Sequence, residues 1–364
     1  TEERPLSVTT STQEHERQTR KTPQVFLLLA ILAVALALRL YNNNWDDYQH
    51  AHPDERWIVM VAGDMHMPHS LSQALDPRQS PFNPLWNPQQ NAVRHFAYGH
   101  LPLYILTIMA AVAHAAGQAL TDLGLKGGWT SWLAAANTYD GLNLLGRVLS
   151  ALFDTGSVYL IYLIGRRVYS ARAGLLGAAF AALTVTAIQL SHFYAFDPVA
   201  GFFIVGAVYG AVRMAQDGNL RASLLAGAMA GAAVSSKFSA LPILAALVVG
   251  AAARAWSLIA ASRRAAAALP ADAEAPRASD QITQALGLAL IALSMAVIVF
   301  ALTSPFAVID WTNFRISVID EQGAMVRGDA DFPYTRQYRG TLPFIYNIEQ
   351  QVRWGMGWPL GLLA

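Results

Sequence analysis

The chain has 364 residues, 54% of them hydrophobic and 13% charged. That balance excludes a soluble globular domain and predicts an all-α polytopic membrane protein. A net charge of +1 on scattered basic residues excludes a nucleic-acid partner, and the lack of any cysteine excludes disulfides, thiolate metal sites and sulfur redox chemistry.

Residues 1–22 are polar and read as a flexible cytoplasmic tail. Arg17, Arg20 and Lys21 precede the apolar run 25–40, which approaches the roughly 20 residues needed to cross a bilayer. Basic residues ahead of a first span favour the cytoplasmic side, so the chain is expected to emerge outside just before His50. Residues 42–141 then form a long outer loop with short surface helices, in which Trp45, Trp57 and Trp86 suit a membrane-interface belt. Within that loop, 101–120 is apolar enough for another span. The span 142–165, however, ends in Arg166-Arg167, which belongs on the cytoplasmic side, and 121–140 is too polar to supply a compensating crossing. The expectation is that 101–120 lies along or dips into the outer interface.

Alternating spans follow at 173–190, 199–214, 223–235, 240–258 and 282–303, ordered by the basic sets Arg166/Arg167/Arg172, Arg213/Arg221 and Arg254/Arg263/Arg264. Gly206/Gly210 and Gly227/Gly231 have the spacing that lets helix backbones approach closely, which is a packing signal. Residues 260–280 read as a low-complexity cytoplasmic linker, 305–353 as a second outer segment, and 354–364 as the start of a further, truncated span.

With this parity, four polar features share the outer face: Asp54 with Glu55, the stretch His192 to Asp197, Lys237, and Tyr338 with Arg336 and Arg339. Ionisable groups this close to a bilayer are costly to desolvate and usually mark a site. Together they suit a carboxylate that takes a proton from an acceptor while cations offset the charge of a phosphate leaving group. Each has a plainer reading: Asp197-Pro198 as a helix start, Lys237 as a snorkelling cation, and Arg336/Arg339 as a solvated face. His50 and His52 beside Asp54 are weak candidates for a divalent ion, their spacing matching no metal signature. His95 and His100 read as interfacial or structural, and His114 as packed within its helix.

In order and spacing, Pro53-Asp54-Glu55 after the first span, Arg147 opening a later one, Tyr194 to Pro198 and Ser236-Lys237-Phe238 resemble the GT-C membrane glycosyltransferases, over roughly residues 25–303. Within that group the pattern resembles the bacterial aminoarabinose transferases of lipid A and the dolichyl-phosphate-mannose protein mannosyltransferases. The resemblance implies a GT-C-type transmembrane bundle (23–304) with extracytoplasmic juxtamembrane helices, in a bacterial-type cytoplasmic membrane. It implies a polyprenyl-phosphate sugar donor, a protein, lipid or glycan acceptor, and no firm cofactor, a divalent metal remaining an option. Asp54 would stand in the place of the catalytic carboxylate, Asp197 in that of the second acid, with Glu55 helping to orient; Lys237, His192, Arg336, Arg339 and Tyr338 would bind substrate. The competing expectation is a non-catalytic subunit or lipid-carrier protein that binds polyprenyl phosphate without chemistry.

Overall fold

A computed structural model describes residues 9–266, 278–329, 331–342 and 344–363. The first eight residues of the expected tail and residues 267–277 of the expected linker lie outside them. The helices run α1 Thr9–Leu40, α2 Pro53–Gly63, α3 Leu71–Leu75, α4 Leu101–Asp122, α5 Gly128–Ala134, α6 Tyr139–Val168, α7 Ala171–Ala182, α8 Val185–Leu190, α9 Asp197–Asp217, α10 Leu220–Ser236, α11 Leu244–Ala266 and α12 Ala278–Thr303. Among the described residues the sheet is confined to a two-residue ribbon, Trp86–Asn87 against Ala92–Val93. The protein is an all-α polytopic membrane protein, with six helices among the described residues long and apolar enough to cross a membrane. Residues 9–22 are helical where a flexible tail was expected. Their Gln, Glu, Arg and Lys are good helix formers, and the helix continues through Pro23 into the apolar segment.

The bundle is held by small residues. Gly210 of α9 faces Ala226 of α10 so closely that an added Cβ would sit 2.5 Å from its Cα, and one on Gly206 would meet the Met229 sulfur at 2.9 Å. Gly227 and Gly231, on the other side of α10, press against the Ala292 and Ala296 carbonyls of α12. The two glycine pairs thus seat one helix between two neighbours, the packing route open to helices in lipid.

The expected continuous span 173–190 is broken. α7 ends at Ala182 and α8 starts at Val185. The break is filled from α1: the Arg39 guanidinium donates to the Ala181 and Ala182 carbonyls (3.3 and 3.0 Å) and pairs with Asp154 of α6 at 2.5 Å. Helix-end carbonyls need partners, and a guanidinium brought by another helix supplies them.

Ion pairs define two ends of the bundle. At one, Arg167 of α6 pairs with Asp217 of α9 and Arg254 of α11 donates to the Gln216 carbonyl. At the other, the starts of α6 and α9 meet the ends of α1, α10 and α12, as the Ser235–Ser304 hydroxyl bond at 2.5 Å illustrates. α4 is long and apolar enough to cross. Yet its polar partners along its length come from segments gathered at this second end. They include the Phe82 carbonyl for the Tyr104 hydroxyl (3.1 Å), Met65 for Thr107 (3.7 Å), and the Ala134 carbonyl of α5 for His114 Nδ1 (2.5 Å). His114 is therefore bonded to α5 as well as packed along its own helix.

Residues 306–363 form short helical pieces, among them the π-helical turn Arg315–Glu321, the helix Gln322–Arg327 and the 3₁₀ turn Pro333–Tyr338. Asn83 to Asp310 (2.8 Å) and His95 to Glu321 (2.8 Å) tie them to the loop that carries Asp54.

Candidate active site

Neighbouring residues on α2 have opposite fates. Pro53 opens the helix, and His52, held extended ahead of the proline, is its N-cap, with Nδ1 accepting from the Glu55 amide at 3.3 Å. Glu55 turns inward and is fully buried, whereas Asp54 stays exposed.

Glu55 meets Arg147, also fully buried, which spends all five of its donors. Nε and Nη2 go to the two Glu55 oxygens (2.9 and 2.8 Å), Nη1 and Nη2 to the two Asp46 oxygens (3.0 and 2.8 Å), and Nη1 also to the Asn43 carbonyl (2.9 Å). The Trp45 ring lies 5.6 Å from the guanidinium, so this tryptophan braces the ion cluster rather than only the membrane interface. The Tyr194 amide donates to Glu55 at 2.7 Å. Arg147 holds the Asp46 carboxyl below the usual carboxylate range, against the opposing effect of burial. The cluster clasps the exit of α1, the start of α2, α6 and the loop before α9 into one rigid piece.

Asp197 lies in the first turn of α9, whose cap residue is Phe196, so its carboxylate does not cap the helix. Its Oδ1 accepts from Lys237 Nζ at 2.6 Å, with both side chains less than half exposed beyond their contact, at 45% and 41%. Lys237 is the extended residue ending α10, and it pairs rather than snorkelling alone.

The piece that sequence reasoning missed is Tyr98. Its ring meets Phe196 edge-on at 5.7 Å, and its phenol lies within electrostatic reach of Asp54, Asp197 and Tyr334. Burial first, then the Asp54 charge, pushes this phenol well above its ordinary range, so it stays a neutral donor. Gly99 places it. The glycine packs on the Ser235 and Ser236 carbonyls at the end of α10, too tightly for any Cβ, one residue before Lys237. His100 follows, wholly buried with both ring nitrogens lacking a partner, edge-on to Phe238 at 5.9 Å. Burial drives its imidazole down to about 3. The legible signal for Tyr98 was a glycine between two bulky polar residues just ahead of an apolar run.

Several expected site residues have other work. Glu55 has both oxygens committed to the buried cluster, leaving none for an acceptor. His192 directs Nδ1 to the Ile188 carbonyl and Nε2 to the Tyr41 carbonyl, both at 2.8 Å, stitching the region of α8 to the end of α1. Arg336 and Arg339 both grip Asp331, at 2.8 and 2.7 Å, and the Tyr338 ring meets Tyr346 edge-on at 5.6 Å. His50 pairs with Asp140 (2.8 Å), while the His52 ring lies on Phe193 (4.4 Å). The two imidazoles therefore do not converge, and the described residues contain no group of three His, Asp or Glu side chains able to hold a metal.

A family model described as dolichyl-phosphate-mannose-protein mannosyltransferase matches residues 126–269, which bears out the GT-C resemblance. The matched stretch includes Arg147, Asp197 and Lys237. Crystal structures of the Archaeoglobus fulgidus oligosaccharyltransferase, in the apo form and in complex with Zn and sulfate, are similar at 15% identity with TM-scores of 0.42 and 0.40. The alignments cover 91% and 93% of this chain and 39% and 44% of those structures, so the chain spans about two fifths of their length. No curated protein matches the sequence.

Proposed function

We propose that this chain carries the catalytic centre of a membrane glycosyltransferase that moves a sugar from a polyprenyl-phosphate donor to an acceptor hydroxyl on the extracytoplasmic face. The observation that carries the reading is the division of labour at one end of the bundle. A buried cluster locks Glu55, Asp46 and Arg147 together, and beside it Asp54 stays exposed. Asp197 and Lys237 complete the open side.

In this reaction Asp54 takes the proton of the acceptor hydroxyl as its oxygen attacks the anomeric carbon. The bond from that carbon to the phosphate oxygen breaks on the opposite face, the electron pair leaves with polyprenyl phosphate, and the sugar configuration inverts. Lys237 offsets the negative charge on the departing phosphate, and Asp197 keeps the ammonium in place. The orientation rests on the basic residues Arg166, Arg167, Arg213 and Arg254 at the far end of the bundle, which favour the cytoplasm. By the same reasoning α4, whose polar partners gather at the site end, lies along the outer boundary rather than crossing.

The purified protein, incubated with a panel of polyprenyl-phosphate sugars and native membrane extract, is expected to release polyprenyl phosphate and to label an acceptor. Donor binding without turnover across the panel would replace this reading with a non-catalytic lipid-carrier protein.

A further inference from the structure

The arginines of the second outer segment are spoken for, and the way they are spoken for indicates what they can bind. Between the helix Gln322–Arg327 and the turn Pro333–Tyr338 lies a cavity of about 500 Å³. That size falls within the range of about 300–1,000 Å³ typical of small-molecule sites. Tyr334 and Tyr338 supply its aromatic walls, and Gln322, Thr335, Arg327 and Arg339 its polar ones.

Each guanidinium there already has a carboxylate. Arg327 Nε sits 2.9 Å from Asp329, and Arg339 shares Asp331 with Arg336 at 2.7 Å. A phosphate would have to compete with these aspartates for the same donors and would meet their charge. A neutral polyol meets no such penalty. Its hydroxyls accept from the unused N–H groups of the fork and donate to the carboxylate oxygens beside them. Its C–H faces lie against tyrosine rings, which pair an apolar surface with a polar tip.

The cavity's segment is also tied to the loop that carries Tyr98. Glu321, next to Gln322 in the cavity wall, pairs with His95 at 2.8 Å, and further along that loop the Tyr98 ring meets Phe196, the neighbour of Asp197, at 5.7 Å.

We infer that this cavity is an acceptor subsite for a neutral saccharide, so that the acceptor hydroxyl belongs to a glycan rather than to a polypeptide. The inference rests on the transferase reading of Asp54 for the word acceptor, but the binding itself does not.

Binding is therefore the test. The full chain in detergent would be titrated by calorimetry with mannotetraose, cellotetraose and maltotetraose, and in parallel with a serine- and threonine-containing hexapeptide and with pyrophosphate. At least one tetrasaccharide is expected to bind, with affinity lowered tenfold or more by Tyr338→Ala and unchanged by Asp54→Asn. Should Tyr338→Ala not fold, Gln322→Ala and Tyr338→Phe are expected to weaken binding several-fold while retaining the wild-type melting temperature. No binding by any of the three saccharides at 10 mM, saccharide binding indifferent to these variants, or Tyr338-dependent binding of the peptide or pyrophosphate instead would overturn the subsite. Saccharide binding with no transferase activity would sink the proposed function and leave the subsite standing. Transfer to a peptide with no saccharide binding would do the reverse.

Discussion

Two ionic clusters stand at the same end of this bundle, and they are built on opposite principles. Around Arg147 every charge is buried, every donor of the guanidinium is used, and two carboxylates face one cation. Around Asp54 the groups are only partly covered, with one ammonium on Asp197. A closed cluster has no spare valence for a substrate, and its removal is felt by the fold. An open cluster contributes little to stability, because partly exposed ion pairs are worth little, yet it keeps the lone pairs and protons that chemistry needs. That contrast separates the framework from the proposed reaction centre where residue type alone does not.

The contrast is broken most forcefully at Arg147. Arg147→Met leaves Glu55 and Asp46 buried without a counter-charge, at a cost of roughly 3–5 kcal/mol. The expected outcome is loss of folded protein on size-exclusion chromatography in detergent, and a yield equal to wild type would show that the cluster is not the clasp described here.

Next come the two neighbouring carboxylates of α2. Asp54→Asn is expected to cut turnover by on the order of 10²–10⁴-fold with an unchanged melting temperature. Glu55→Gln should do the opposite, lowering the melting temperature while the pH profile of the remaining activity keeps its shape. Equal effects of the two substitutions on turnover would erase the distinction between them.

A smaller effect is expected at the open pair. Lys237→Met should weaken donor binding about tenfold, consistent with the 1.5–3 kcal/mol of a charge-assisted hydrogen bond reduced by partial exposure. Donor affinity measured by titration with folding unaffected checks this, and an unchanged affinity would free Lys237 from the phosphate.

The smallest effect concerns pH. His100 is held neutral by burial, with a folded-state value of about 3 against the ordinary 6.5. A depressed folded value means that the unfolded chain binds the extra proton between those limits. The stability is therefore intact above pH 6.5 and is lost as pH falls, by up to about 1.4 kcal/mol per unit. Asp46, also depressed, adds its loss only below its unfolded value of 3.8. Melting curves at pH 7.5 and 5.5 should diverge for the wild-type chain and draw together for His100→Leu.

The sequence by itself determined a good deal. Apolar runs long enough to span set the membrane class and most helices, because lipid leaves the backbone no other way to satisfy its hydrogen bonds. Glycine spacing announced the close contacts of α10, and Pro53 and Pro198 marked helix starts. Asp54, Asp197 and Lys237 could be singled out as costly ionisable groups near a membrane. What only the tertiary structure decided is which charges meet. Asp54 and Glu55 are adjacent and chemically alike, and the difference between an exposed carboxylate and a locked anchor came from Arg147, 92 residues away in the chain. The same holds for Arg39, which fills the break after α7 from a helix 143 residues earlier, and for Asp331, which claims the two arginines expected on a phosphate. Local pattern records what a residue can do with its own helix and the solvent. A charge inside a fold is defined by the one partner close enough to offset its desolvation, and that partner is chosen by packing.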